Sequence, residues 1–339
     1  MARTRTIHAA SLTCAAALAA GAIALGAPGD LSLVSVSSGG ALGNAPAEAA
    51  AVSADGRFVA FTSSAALTGT PTGGAVQLYV RDRSSGTTAL ASSSAAGAAS
   101  NGAVDAQDAG NVQFSISGDG RYVAFASTGS NLTPADPDAV KDVFRKDLTT
   151  GAVELVSVSS AGVPANGAVA GDPDISADGT RVAFGSGAAT NLAGADANAA
   201  LSDVVVRDLA AGSTVLAAQT TGGVQANSTT ERPAISADGH VVAFEAPAGT
   251  FNLDPSDAPD RGNDVFVRNL VAGTLSAASD PAAATGSGFP DVSGDGRFVV
   301  FETGHAYDAT NDAFVGNDVY RRDMGTGAIT LVSARNGLD

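Results

Sequence analysis

The stretch Ile116-Ser-Gly-Asp-Gly-Arg-Tyr-Val-Ala-Phe125 decides the fold. Asp-Gly between two apolar runs is the strongest short-range signal for a two-residue β-hairpin, because the turn needs positive φ and glycine supplies it without steric cost. The Ser and Asp side chains can bond nearby backbone amides and hold the turn. After it, Tyr122, Val123, Ala124 and Phe125 read as a mostly buried strand. Four more copies begin at Val52, Ile175, Ile235 and Val292, so the central aspartates are Asp55, Asp119, Asp178, Asp238 and Asp295. Their spacings of 64, 59, 60 and 57 residues mark a tandem array.

A second pattern follows each copy. It reads Leu78-Tyr-Val-Arg-Asp82, then Asp142-Val-Phe-Arg-Lys-Asp147, Asp203-Val-Val-Val-Arg-Asp208, Asp264-Val-Phe-Val-Arg-Asn269 and Asp318-Val-Tyr-Arg-Arg-Asp323. Each is a strand ending in a basic residue and then Asp or Asn. Glycine turns at 86, 151, 212, 273 and 327 lead into a fourth strand, such as Ala152-Val-Glu-Leu-Val-Ser157. The expected fold is therefore all-β, with five repeats of four strands and a long connection after the second. That is the make-up of a β-propeller blade.

This pair of patterns resembles the WD-repeat-like propeller units of the TolB family, over essentially all of the chain after its first residues. The resemblance implies a ring of four-stranded blades around a central channel, with six blades in the family's usual form. Leu31-Ser-Leu-Val-Ser-Val-Ser-Ser38 reads as one more fourth strand without a blade of its own. Either five blades close with that strand added to the last, or a six-bladed ring has one incomplete blade. The resemblance also implies a periplasmic or extracellular module that binds proteins.

The amino terminus reads as a secretory signal peptide over residues 1–26, leaving one propeller domain over 27–339. Arg3, Arg5 and His8 precede an apolar run from Ala9 to Leu25, and Ala24-Leu25-Gly26 puts small residues at the cleavage site. Thr4 separates the two arginines, so there is no twin-arginine pair, and Cys14 lies too deep in the apolar run for lipidation. Cys14 is the single cysteine, which excludes disulfides and cysteine-bound metals from the remainder. The chain carries a formal charge of −16, and without Arg3 and Arg5 it keeps 16 basic against 34 acidic residues, −18. Such a surface repels phosphate backbones and anionic lipids, which argues against nucleic-acid partners and against membrane insertion once the signal is removed.

No nucleophile elbow, phosphate loop or zincin motif occurs in the sequence. His240 follows a turn and reads as a surface residue; His305 lies near Asp308 and Asp312 and reads as solvated. The connections after the second strands are acidic: Asp136, Asp138 and Asp142; Asp196, Asn198 and Asp203; Asp254, Asp257, Asp260, Asn263 and Asp264; Asp308, Asn311, Asp312, Asn317 and Asp318. Oxygen ligands at alternate positions can wrap a hard cation, and extracellular calcium would fill even weak sites. The same residues can instead bond their own backbone and cap the third strand, and the first repeat has Gln77 there with no loop carboxylates. The recurrent Arg81, Lys146, Arg207, Arg268 and Arg322, each followed by Asp or Asn, read as scaffold: strand-end hydrogen bonds and charge pairs. Places where the repeat symmetry breaks, 251–264 and 305–311, are the expected contact sites. The functional expectation is a secreted or periplasmic, non-catalytic scaffold for a protein or glycan partner of the cell envelope. The alternatives are a propeller hydrolase or lyase acting on glycans or lactones, and a calcium-stiffened surface protein.

Overall fold

A computed structural model describes residues 31–104, 107–108, 111–136, 138–198, 201–247, 252–253, 262–280, 283, 285–308 and 316–333. The described residues contain no helix. They form five four-stranded antiparallel sheets in meander order, one per repeat, and one small hairpin at Gln107–Asp108 and Asn111–Val112. Residues 1–26, the expected signal peptide, lie outside the described set.

Each sheet grows from its Asp-Gly turn. The Ser hydroxyl donates to the Asp carboxylate over 2.5–2.7 Å in all five copies. The same carboxylate accepts the amide two residues on, at 2.9–3.1 Å. The five glycines have φ between +72° and +74°. Behind the turn the second and third strands pair in register, as in Phe125 with Phe144 and Phe244 with Phe266. Both pairs are fully buried and stacked, with ring centroids 5.8 and 6.1 Å apart. A core that lacks tryptophan is thus built around stacked aromatic pairs in blades one, two and four, with a surround of Val and Ala, while blade three sets Phe184 opposite Val205.

The chain divides into two compact units, one ending at Val156 and one beginning at Ser157. The first holds the sheets of blades one and two, the second those of blades three to five. The boundary falls just after a fourth strand, and the hydrogen bonds explain why. The residues that follow each fourth strand dock on the next blade. In the second unit, Ser160 Oγ accepts from Thr214 N at 2.8 Å, and Thr214 Oγ1 donates to Val158 O at 2.5 Å. In the first unit, Thr88 makes the same bonds to Ser38 and Val36, at 2.9 and 2.6 Å. Leu31–Ser38 is therefore no fourth strand. Its single ladder contact is the bridge Val36↔Leu42, and it joins none of the five sheets. It serves blade one as the other tails serve their successors.

Within each unit the hairpin turns of successive blades also touch. Ala54 N donates to Gly118 O at 3.0 Å and Ala237 N to Gly294 O at 3.0 Å. A Cβ on Gly120 would lie 2.1 Å from the Phe58 ring, whereas one on Gly56 would meet nothing within 4 Å. Both glycines are left-handed, a conformation that costs other residues about 1–2 kcal/mol. Gly56→Ala should therefore cost about 1 kcal/mol, and Gly120→Ala a further 1–3 kcal/mol, roughly, from overpacking. Urea denaturation of the two variants checks the difference; equal losses would show that Phe58 moves aside freely.

Candidate functional site

The recurrent third-strand cations do not pair with the acids that follow them. They reach back to the tail of the preceding blade. Lys146 Nζ donates to Ser93 O, Ser94 O and Gly151 O at 2.9, 3.1 and 2.8 Å. Arg207 reaches Ser159 O at 3.2 Å, Arg268 reaches Thr220 O at 3.0 Å, and Arg322 reaches Ala278 O at 3.3 Å. Arg81 finds Ser37 O at 3.1 Å. The acids pair instead with the arginine at the hairpin of their own blade: Asp82 with Arg57, Asp147 with Arg121, Asp208 with Arg181 and Asp323 with Arg297, at 2.6–2.9 Å. These guanidinium bonds hold Asp82, Asp147 and Asp323 well below the usual carboxylate range. The scaffold expectation holds, with different partners.

A further repeated tie escaped the sequence reading. Asn131 and Asn191 donate to Ala99 O and Pro164 O, each at 2.8 Å. Asn252 donates to Gln225 O. The signal was present as the dipeptide Asn-Leu at 131, 191 and 252. In blade five Tyr307 does this work, its hydroxyl accepting Asp280 N at 2.6 Å. Burial pushes the Tyr307 phenol up to about 12. His305 packs edge-on to that ring, 4.6 Å between centroids, so the expected contact site at 305–311 is partly an internal aromatic cluster. His240 is half-exposed beside Asp238, Nδ1 to Oδ2 3.3 Å, as a turn residue should be.

The acids at the start of the third strands have two fates. Asp264 and Asp318 accept the hydroxyls of Ser279 and Ser333 at 2.8 and 2.5 Å, and Gln77 accepts that of Ser92 at 2.7 Å. Each serine in turn accepts the next amide of the third strand, at Val265, Val319 or Leu78. This is strand capping. Blade three breaks the pattern, because Ala218 stands where the serine should be. Asp203 is held there by side-chain amides: Gln225 Nε2 bridges Asp203 Oδ2 at 2.7 Å and Asp196 Oδ1 at 3.0 Å, and Asn198 Nδ2 reaches Asp203 Oδ1 at 3.2 Å. Asp196, Asp203 and Gln225 edge a recess of about 20 Å³, room for one water. Burial, aided by the Asp196 charge, pushes Asp203 up to about 6.

A carboxyl raised in the folded state stabilises the fold when protonated. Its contribution is complete below about pH 4 and is lost as pH rises through about 6. The loss is on the order of 2–3 kcal/mol. Thermal melts at pH 4.5 and 7.5 should therefore differ less for Asp203→Asn than for wild type. An unchanged gap would remove Asp203 as its source.

In blade two, Asp136, Asp138 and Asp142 come together, with one oxygen of each within 4.8 Å of the others. Asp136 and Asp142 are buried and Asp138 is exposed. Burial raises the Asp136 carboxyl above its ordinary value, with the Asp138 charge adding to the effect. Of the remaining expected ligands, Asp308 is described but joins no such group among the described residues. Asp254, Asp257 and Asp312 lie outside the described residues, as do Asp260 and Asn311.

The clearest break in repeat symmetry lies on the first strands of blades three to five, which run next to one another. Asp172, Arg232 and Phe289 occupy equivalent places, each before a proline, and each has a left-handed backbone with φ of 52°, 53° and 53°. Register shifts at Gly171/Asp174, Glu231/Ala234 and Gly288/Asp291 mark the same spots as bulges. Bulges re-aim side chains, and such backbone strain clusters at functional positions. Here Arg232 bonds the buried Glu245 at 2.8 Å and lies over the Phe289 ring, 4.5 Å from its centroid. Glu245 also accepts Phe289 N at 3.2 Å and the Asn263 amide. A Cβ at Gly288 would lie 2.6 Å from Glu245 Oε2, so only glycine admits the carboxylate. Phe289 itself is 50% exposed. The sequence carried this site as Gly-Asp-Pro, Glu-Arg-Pro and Gly-Phe-Pro before the Asp-Gly turns.

No family model matches the sequence, and no curated protein matches it either. Among solved structures, the β-propeller domain of the trilobed protease from Pyrococcus furiosus aligns with a TM-score of 0.51 at 10% identity, over 86% of this chain and 72% of that one. An oligogalacturonate lyase in complex with manganese gives 0.51 at 14% identity, over 84% and 64%. TolB from Acinetobacter baumannii gives 0.47 at 16% identity, over 86% of this chain and 55% of that one, so the chain spans about half the length of that TolB. At these identities the likeness is one of fold, and together with the repeats it makes the chain a β-propeller of four-stranded blades.

Proposed function

We propose that the chain is a secreted or periplasmic, non-catalytic binding propeller, and that its partner, a protein or glycan of the cell envelope, docks on Phe289 and Arg232. The supporting observation is the half-exposed Phe289 ring, held by a left-handed backbone and backed by a guanidinium that a buried carboxylate fixes in place. Aromatic and arginine side chains dominate binding energies at interfaces, and a rigid anchor loses little entropy on docking. The recurrent charged residues, by contrast, are occupied in holding blades together.

The test uses the chain from residue 27 onward, immobilised and exposed to envelope proteins and glycans. A ligand retained by wild type should bind Phe289→Ala at least tenfold more weakly, with an unchanged melting temperature. Equal retention by both proteins, or turnover of a glycan or lactone substrate, would overturn the reading. Mass spectrometry of exported protein should find Ala27 as the first residue.

A further inference from the structure

We propose that Asp136, Asp138 and Asp142 bind one calcium ion in the long connection of blade two, a site independent of the docking surface on the later blades. The three carboxylates offer oxygens within 4.8 Å of one another. Clustered acids alone mean little, but Asp136 adds a separate observation. It is 3% exposed, and its Oδ2 is fully buried with no hydrogen-bond partner. Its Oδ1 accepts Asp138 N at 3.3 Å, and Asp138 Oδ1 accepts Val140 N at 2.8 Å. Those turns occupy one oxygen of each side chain and leave the buried Asp136 Oδ2 unsatisfied. A buried carboxylate without a counter-charge is costly, and like charges beside it add to the cost. The clustered carboxylates concentrate negative charge that a divalent cation would offset.

Blade three holds the equivalent carboxylates with side-chain amides. Asp196 and Asn198 stand at the positions of Asp136 and Asp138, and Asp203 at that of Asp142. There one acid is an amide, and the Gln225 amide bridges the two remaining carboxylates. The corresponding sequence position after the fourth strand of blade two is Pro164, which has no side-chain donor. Three hard oxygen donors, with water completing the shell, suit calcium better than magnesium, which demands a small octahedral cage. The expected affinity is that of extracellular modules, about 0.1–1 mM.

Calorimetric titration of the full chain after residue 26 with calcium chloride, and melts in calcium or chelator, test the assignment. Wild type should take up calcium and melt about 5 °C higher in excess calcium. Asp138→Asn, at an exposed position, should fold normally and lose the shift. Asp136→Asn should melt higher than wild type in chelator and also show no shift. Absence of heat and of any shift at 10-fold excess over about 1 mM would overturn the proposal. So would a shift preserved in both variants, which places the ion in another loop, or an equal response to magnesium.

Discussion

Phe244→Ala is expected to lower stability by about 3–5 kcal/mol. The ring is fully buried, stacks on Phe266, and sits in the cluster with Val204, Val206, Ile235 and Val242. Its removal costs the transfer free energy of the ring and leaves a cavity that rigid strands cannot close. Natural domains have about 5–15 kcal/mol in all, so the loss is a large part of the whole. The cluster joins residues of blades three and four, so neither blade can absorb the change alone. Urea denaturation followed by circular dichroism measures it. A loss under about 1 kcal/mol, far below the large-to-small range, would mean that the surrounding alanines and valines collapse into the space.

Arg232→Met is expected to cost a similar amount for a different reason. Glu245 is 2% exposed and accepts from Arg232, Asn263 and the Phe289 amide. Without the guanidinium only the two neutral donors remain to it. Breaking a buried pair from one side costs about 3–5 kcal/mol, because the remaining ion is stranded. Arg232→Met combined with Glu245→Gln should recover most of that loss, since replacing both members of a buried pair is often close to neutral. The double-mutant cycle separates this from simple loss of packing on Phe289. A double variant no more stable than Arg232→Met would show that the charge of Glu245 was never the problem.

What was legible in the sequence is what depends on neighbours along the chain. The Asp-Gly turn needs only Ser236, Asp238 and Gly239 to be recognised, and its Phe244 strand follows as a continuous apolar run. The acids of the long connections could also be read as a set, though not sorted. Sorting them needed the residue fifteen positions further on, Ser279 for Asp264 and Ala218 for Asp203. The targets of Lys146 and Arg207 were illegible in principle, because they are backbone carbonyls, which leave no side-chain signature. Phe289 and Arg232 lie on first strands, away from the long connections where symmetry breaks were expected. A proline inside a strand pattern, as at Pro233 and Pro290, was the available clue, since proline there points to a bulge or an edge.

Because each tail is bonded to the blade after it, the natural cut in this chain is not between one Asp-Gly motif and the next. It lies just past a fourth strand, as between Val156 and Ser157, where a segment begins that carries its own docking tail with it. Gene duplication, circular permutation or domain grafting at such a joint transfers a self-sufficient cassette. The same operation performed immediately before a first strand would strand Lys146 or Arg207 without the carbonyls it was placed to reach.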